Sequence, residues 1–132
     1  MSAFAFVFPG QGSQSVGMLD AWGDHPAVRD TLAESAQALS MDIRRLIHDG
    51  PKEQLDLTTN TQPVMLVAGI ACYRAWIAET GRVPTAVAGH SLGEYTALVA
   101  AGAPVGRALG PVTAELFQGG TPHPAALIAR SS

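Results

Sequence analysis

The sequence predicts an α/β fold with a parallel sheet at its centre, and three stretches carry that prediction. Thr85 to Gly102 reads as a short apolar strand, a turn at Gly89-His90-Ser91-Leu92-Gly93 and a helix that stops at Gly102. Ala3 to Phe8 is a second apolar run, closed by Pro9-Gly10, as expected of a strand buried on both faces. Val64 to Ile77 is apolar on nearly every side in its first half, as a helix inside the core would be.

Composition narrows the function classes. The chain has 132 residues, 47% of them hydrophobic, which suits one domain. A net charge of −3 offers no basic patch, so nucleic acid is not an expected partner. The one cysteine, Cys72, lies in an apolar run and reads as a small core hydrophobe, and no disulfide framework exists. The N-terminus lacks the basic region and longer apolar core of a signal peptide, and no run is long enough to span a membrane. These features predict a cytoplasmic chain with no membrane partner.

Taken in order, the elements begin with the strand over Phe4 to Phe8. The loop Pro9 to Gln14 is glycine-rich, but it lacks the Gly-Lys-Ser/Thr ending of a P-loop and the third glycine of a dinucleotide fingerprint. Asp24-His25-Pro26 opens a helix, with Asp24 or His25 at the cap and Pro26 in the first turn. Val28, Leu32, Ala36 and Leu39 then share one face. Met41 to Ile47 and Pro51 to Leu57 read as short helices, the first ending near Asp49-Gly50. The next long helix is expected to start over Thr59 to Pro63, with Pro63 near its first position and Gly81 past its end. Beyond Gly102 the character changes: the last 30 residues hold four prolines and four glycines, and only Ala125 to Ala129 is coherently apolar. Residues 1–102 therefore read as one unit and 103–132 as a divergent, poorly ordered tail.

The chemistry sits at the turn. Gly-x-Ser-x-Gly between a strand and a helix is a nucleophile elbow, with Ser91 at the tip. Gly89 and Gly93 let strand and helix pack closely, and the Leu92 N–H falls where unpaired helix amides favour negative charge. The alternative is a glycine-rich connection with an idle serine. A serine nucleophile needs a base within hydrogen-bond reach. His90 adjoins Ser91 and projects differently, His25 and His48 sit at predicted helix ends on the surface, and His123 lies in the tail. None is a convincing base, and the spacings match no metal motif.

Phe4 to Gln14, Thr61-Gln62-Pro63 and Gly89 to Tyr95 together resemble the malonyl-CoA:acyl carrier protein transacylases and the related acyltransferase domains of polyketide and fatty acid synthases. The resemblance covers residues 3 to 102, the first third of a family chain. It implies the N-terminal part of an α/β-hydrolase-like parallel-sheet acyltransferase fold, incomplete here. It implies ping-pong transfer without a cofactor: Ser91 takes the malonyl group from malonyl-CoA, and the phosphopantetheine thiol of acyl carrier protein removes it. The backbone amides of Gln11 and Leu92 match the family's oxyanion hole. Gln62 matches a glutamine near the family's active site, and His90 lines the same motif.

Departures from the family accompany the match. The arginine that pairs with the malonyl carboxylate is not found at its expected place, Ala114 to Gln118, and Arg107 matches neither its position nor its context. The catalytic histidine lies further along a family chain. The sequence thus reads as a truncated or frame-shifted acyltransferase, impaired on its own. Two strands cannot cover Val64 to Ile77 and the elbow helix, and each wet apolar side chain forfeits about 1.5–3 kcal/mol. Against a typical net stability of about 5–15 kcal/mol, independent folding is expected to be marginal. Other readings are a polyketide-type acyltransferase fragment, a serine hydrolase, or a non-catalytic fragment that pairs with a separately encoded C-terminal part.

Overall fold

The computed structural model describes residues 4–10, 12–90, 93–100 and 126–130. Strands β1 (Ala5–Phe8) and β2 (Ala86–His90) lie side by side in parallel, Ala5 opposite Ala86 and Phe8 opposite Gly89. A parallel pair needs a long crossover. Helices α1 (Pro26–Leu39), α2 (Ile43–Asp49), α3 (Lys52–Leu55) and α4 (Thr58–Thr80) supply it, and α5 (Gly93–Ala100) follows β2. Strand β3 (Ala126–Arg130) runs antiparallel to β2 on the side away from β1. It coincides with the one apolar stretch of the tail. The rest of 103–132, read from sequence as poorly ordered, lies outside the described residues.

Helix α1 starts where the sequence places it. Pro26 takes the first helical position, and His25 is the cap, its Nδ1 accepting the Ala27 N–H at 3.1 Å. Val28 and Leu32 are buried against α4, as are Thr31 and Ser35. Thr31 is tolerated inside because its hydroxyl donates to the Ala27 carbonyl at 2.7 Å and accepts from Arg74 at 3.1 Å. Arg74 also reaches Glu34 at 3.1 Å, which ties α4 to α1.

Three helices differ in their bounds from the sequence expectation, the shortest being α3, which spans Lys52–Leu55 where Pro51 to Leu57 was expected. Helix α2 is displaced from 41–47 to 43–49, because the Asp42 carboxylate accepts the Arg45 N–H at 3.2 Å and fixes the start. Helix α4 begins at Thr58, so Pro63 lies inside it and not at its first position. The missing Pro63 N–H leaves one early turn short of a hydrogen bond. Side chains hold that turn instead: Thr61 donates to the Leu55 carbonyl at 2.6 Å, and Asn60 donates to the Gln54 carbonyl at 2.8 Å. A 3-10 turn at Asp20–Trp22 had no signal in the sequence reading.

The core has two parts. Val28, Leu32, Ile43, Ile47, Leu55 and the apolar length of α4 form the larger. Phe8, Val87 and Ala97 form the smaller, beneath β1 and β2. Burial of β1 on both faces is not observed: Phe8 is buried but Val7 is 73% exposed. Period-two alternation sends Phe4, Phe6 and Phe8 toward Tyr73 and Trp76 of α4, and no described element covers the opposite face. No helix among the described residues is long and apolar enough to cross a membrane.

Candidate active site

Strand β2 ends at His90 and α5 starts at Gly93, so the motif Gly89 to Gly93 spans the junction with two residues between strand and helix. This is the strand-turn-helix setting that Gly-x-Ser-x-Gly requires. His90 contributes the last β2 residue, opposite Ala126 of β3. Ser91, Leu92 and Gln11 lie outside the described residues, as does the His90 side chain.

The surrounding elements converge on one edge of the sheet. Phe8 is opposite Gly89, so β1 and β2 end together and their following loops leave the same side. Helix α4 runs against β1: Trp76 meets Phe4 and Phe6, and Tyr73 meets Phe6 and Phe8. A Cβ built on Gly69 would lie 3.5 Å from the Phe8 ring. Continuing one residue per 1.5 Å, the N-terminal turns of α4 reach about 10 Å past Gly69, beyond the strand ends. Gln62 stands there, 2% exposed, and its Oε1 has no hydrogen-bond partner among the described residues. A buried acceptor without a partner costs about 1–3 kcal/mol, so this one calls for a functional account.

The loop after β1 is braced from the same direction. Gly12 adopts φ 111°, which favours glycine, and its N–H donates to Gln14 Oε1 at 2.8 Å. Gln14 Nε2 in turn donates to Asp56 Oδ1 at 3.0 Å, at the end of α3. Lys52 holds the other carboxylate oxygen. The hydrogen bonds from Lys52 and Gln14 keep the Asp56 carboxyl below its usual range, so it stays an acceptor.

Neither described histidine with a side-chain role elsewhere is spare for catalysis. His25 caps α1 and contacts Glu79 at 2.8 Å, near the C-terminal end of α4. Glu79 is 17 residues from Gln62 along one helix, about 25 Å away. His48 Nδ1 contacts Asp20 at 2.7 Å, and that hydrogen bond raises the His48 pKa from 6.5. His123 lies outside the described residues. Burial pushes the Cys72 thiol up, with a contact from Trp22 opposing it, so this cysteine behaves as core. No metal-holding cluster of His, Cys, Asp and Glu occurs among the described residues. A cavity of about 230 Å³ between β1, α4 and α5 is lined by Phe8, Met65, Gly69, Cys72, Tyr73 and Thr96, and it is mainly apolar.

Residues 5–107 match the family model of the acyl transferase domain. The chain belongs to that family. It is 53% identical over 103 residues to the malonyl CoA-acyl carrier protein transacylase of Escherichia coli (strain K12), a match covering 77% of this chain and 33% of that one. The chain therefore spans about one third of the length of the curated relatives it matches. Among solved structures, the acyl-carrier-protein S-malonyltransferase of Burkholderia pseudomallei 1710b superposes with a TM-score of 0.82 at 64% identity, covering 85% of this chain and 37% of that one. A malonyl-transacylase in complex with its type II polyketide synthase acyl-carrier protein superposes with a TM-score of 0.80 at 46% identity, covering 86% and 38%.

Three features of this acyl transferase domain went unread in the sequence. Gly69 permits the close approach of Thr96 on α5, and an isolated glycine inside an apolar helix was its signal. The Gln14–Asp56 link joins residues 42 apart in sequence, and no local pattern announces such a pair. The Arg74–Thr31 bond is equally non-local.

Proposed function

We propose that this chain carries the nucleophile-bearing part of an acyltransferase that moves a malonyl group from coenzyme A to the phosphopantetheine thiol of acyl carrier protein. The observation that carries the reading is the strand-turn-helix at Gly89 to Gly93 within an acyl transferase domain. Ser91 Oγ attacks the thioester carbonyl of malonyl-CoA and forms a tetrahedral oxyanion. The backbone amides of Gln11 and Leu92 receive that charge, each from a loop leaving the shared edge of β1 and β2. Collapse breaks the carbon–sulfur bond, the proton given up by Ser91 Oγ passes to the departing sulfur, and coenzyme A leaves as its thiol with a malonyl-serine ester behind it. The carrier protein's thiol then attacks the ester and regenerates Ser91. Gln62 lines the site from α4, its free Oε1 open to a donor from substrate or from the turn, and His90 lines it from the end of β2.

The reaction proceeds without a cofactor, in the cytoplasm, within an α/β-hydrolase-like sheet of which these strands are one portion. The family's base and carboxylate-binding arginine have no counterpart in residues 3–102, so these residues alone lack two groups of the reaction. A polyketide role is a second reading, favoured by the malonyl-transacylase solved with a type II polyketide carrier protein.

Intact mass after incubation with malonyl-CoA, beside Ser91→Ala, tests the assignment. A malonyl adduct lost in the variant supports Ser91 as nucleophile. An adduct that persists in Ser91→Ala refutes it. No adduct until the C-terminal portion of a relative is added supports the need for groups beyond residues 3–102.

A further inference from the structure

We propose that Gln14 and Asp56 form a positioning pair that fixes the Pro9–Gln14 loop against the start of α4, and so sets where the loop presents its amide to the reacting carbonyl. The inference rests on the proposed function, which assigns the Gln11 N–H to the oxyanion.

The residue types are those the geometry demands. Gln14 uses both ends of one planar amide: Oε1 accepts from the Gly12 N–H at 2.8 Å, and Nε2 donates to Asp56 Oδ1 at 3.0 Å. Of the uncharged side chains, only Gln and Asn offer an acceptor and two donors on one rigid group. A glutamate would keep the first bond, lose the second and place a carboxylate against Asp56.

Asp56 is itself held. Lys52, one turn earlier, engages its Oδ2. The junction it occupies is pinned by Asn60 on the Gln54 carbonyl and Thr61 on the Leu55 carbonyl. Gln62 follows directly, so one rigid junction carries both the anchor of the loop and the buried amide at the strand ends. Gly12, at φ 111°, turns its N–H back onto Gln14. Gly12 and Gln14 are thus tied to the end of α3 by side chains, since the chain there forms no helix or strand.

The test uses the 132-residue chain, with the C-terminal portion of a relative supplied for the chemistry, and four variants: Gln14→Ala, Gln14→Glu, Asp56→Asn, and Gln14→Glu combined with Asp56→Asn. Gly12 amide hydrogen exchange reads the loop, with the Leu66 amide as a folding control. The rate and KM of malonyl-CoA adduct formation at Ser91 read the chemistry. Gln14→Glu should speed Gly12 exchange about fivefold, the loss expected of one net hydrogen bond, and Gln14→Ala, which removes both bonds, about 25-fold. They should slow adduct formation by a similar factor while KM holds.

Asp56→Asn leaves one acceptor oxygen where Lys52 and Gln14 each use one, so its Gly12 exchange should fall between the parent chain and Gln14→Glu. In the double variant the asparagine amide can donate to the new carboxylate, so both readouts should recover. Unchanged Gly12 exchange in the single variants, or a double variant no better than Gln14→Glu, overturns the pair. Faster exchange with an unaltered adduct rate overturns its positioning role. If no chain forms an adduct even with a relative's C-terminal portion supplied, the proposed function fails. The pair is then upheld or overturned by whether Gly12 exchange recovers in the double variant.

Discussion

Replacing Gly69 by alanine should test how closely the elbow helix is held to the core. A Cβ at this position would stand 2.7 Å from Thr96 Cγ2 and 3.5 Å from both Thr96 Oγ1 and the Phe8 ring. Carbon atoms prefer about 3.5–4.0 Å, so the clash with the methyl is close to ~1 Å deep. Thr96 is 1% exposed and β-branched, which leaves it little room to turn away. Overpacking of this kind costs about 1–3 kcal/mol. Alanine is also the better helix former by about 1 kcal/mol, which offsets part of the loss. The net expectation is a destabilisation of about 1 kcal/mol. Thr96→Ser removes the clashing methyl and keeps the hydroxyl. In the double variant the strain should vanish while the helix gain stays, giving a favourable coupling of about 1–2 kcal/mol. Urea unfolding followed by far-ultraviolet circular dichroism measures it, with trimethylamine N-oxide added to raise the folded population. A coupling within about 0.5 kcal/mol of zero would mean the two sites are independent. The close approach of α4 and α5 would then not be what glycine serves.

Four further outcomes are expected. Gln62→Met removes the unpartnered acceptor at similar volume, so stability should hold or rise by about 1 kcal/mol while adduct formation at Ser91 slows; a loss of stability would mean Oε1 already has a partner. Thr61→Val should destabilise by about 1–3 kcal/mol, since the buried Leu55 carbonyl loses its donor, and an unchanged urea midpoint would contradict that. The His48 pKa is raised from 6.5, chiefly by the Asp20 hydrogen bond, so its stabilising contribution is complete below pH 6.5 and fades as pH rises through the higher folded value. Nuclear magnetic resonance titration of the His48 ring should show the midpoint falling in Asp20→Asn, and an unmoved midpoint would remove Asp20 as the cause. The parent chain should melt in a broad transition, because one face of β1 is open to water; a sharp cooperative melt at low concentration would show that the described core suffices.

Local pattern made much of the fold readable. Pro26 after His25 is enough to place a helix start, since a missing N–H does no harm at a first position. Phe4, Phe6 and Phe8 at period two, with Pro9-Gly10 behind them, are enough to place a strand. Pro63 misled because the same residue is tolerated deeper in a helix when other groups hold the turn, and Thr61 and Asn60 do so through carbonyls of the preceding helix. Those bonds depend on how α3 meets α4, which no window of sequence contains. The exposed face of β1 has a related cause. An unbroken apolar run says that a strand can be covered on both faces, while the covering itself depends on which other elements are present.

The site divides along the same line. The strand ending at His90 and the helix starting at Gly93 were legible because their pattern is local: an apolar run, two glycines and a second apolar run. That the Pro9–Gln14 loop and Gln62 belong near the turn between them was implied by the family resemblance and not by local pattern, because it depends on two directions that are set in three dimensions. Parallel pairing of β1 with β2 sends both following loops to one edge. Antiparallel passage of α4 across β1 brings the start of that helix to the same edge. Gln62 is buried there with an acceptor unpartnered among the described residues, as Ser35 Oγ is in α1, and only Gln62 stands at the edge where the two strands end. The strand ends, the braced loop and the buried amide therefore point to one edge of the sheet from independent causes, and Ser91 is the residue that follows β2 in sequence at that edge.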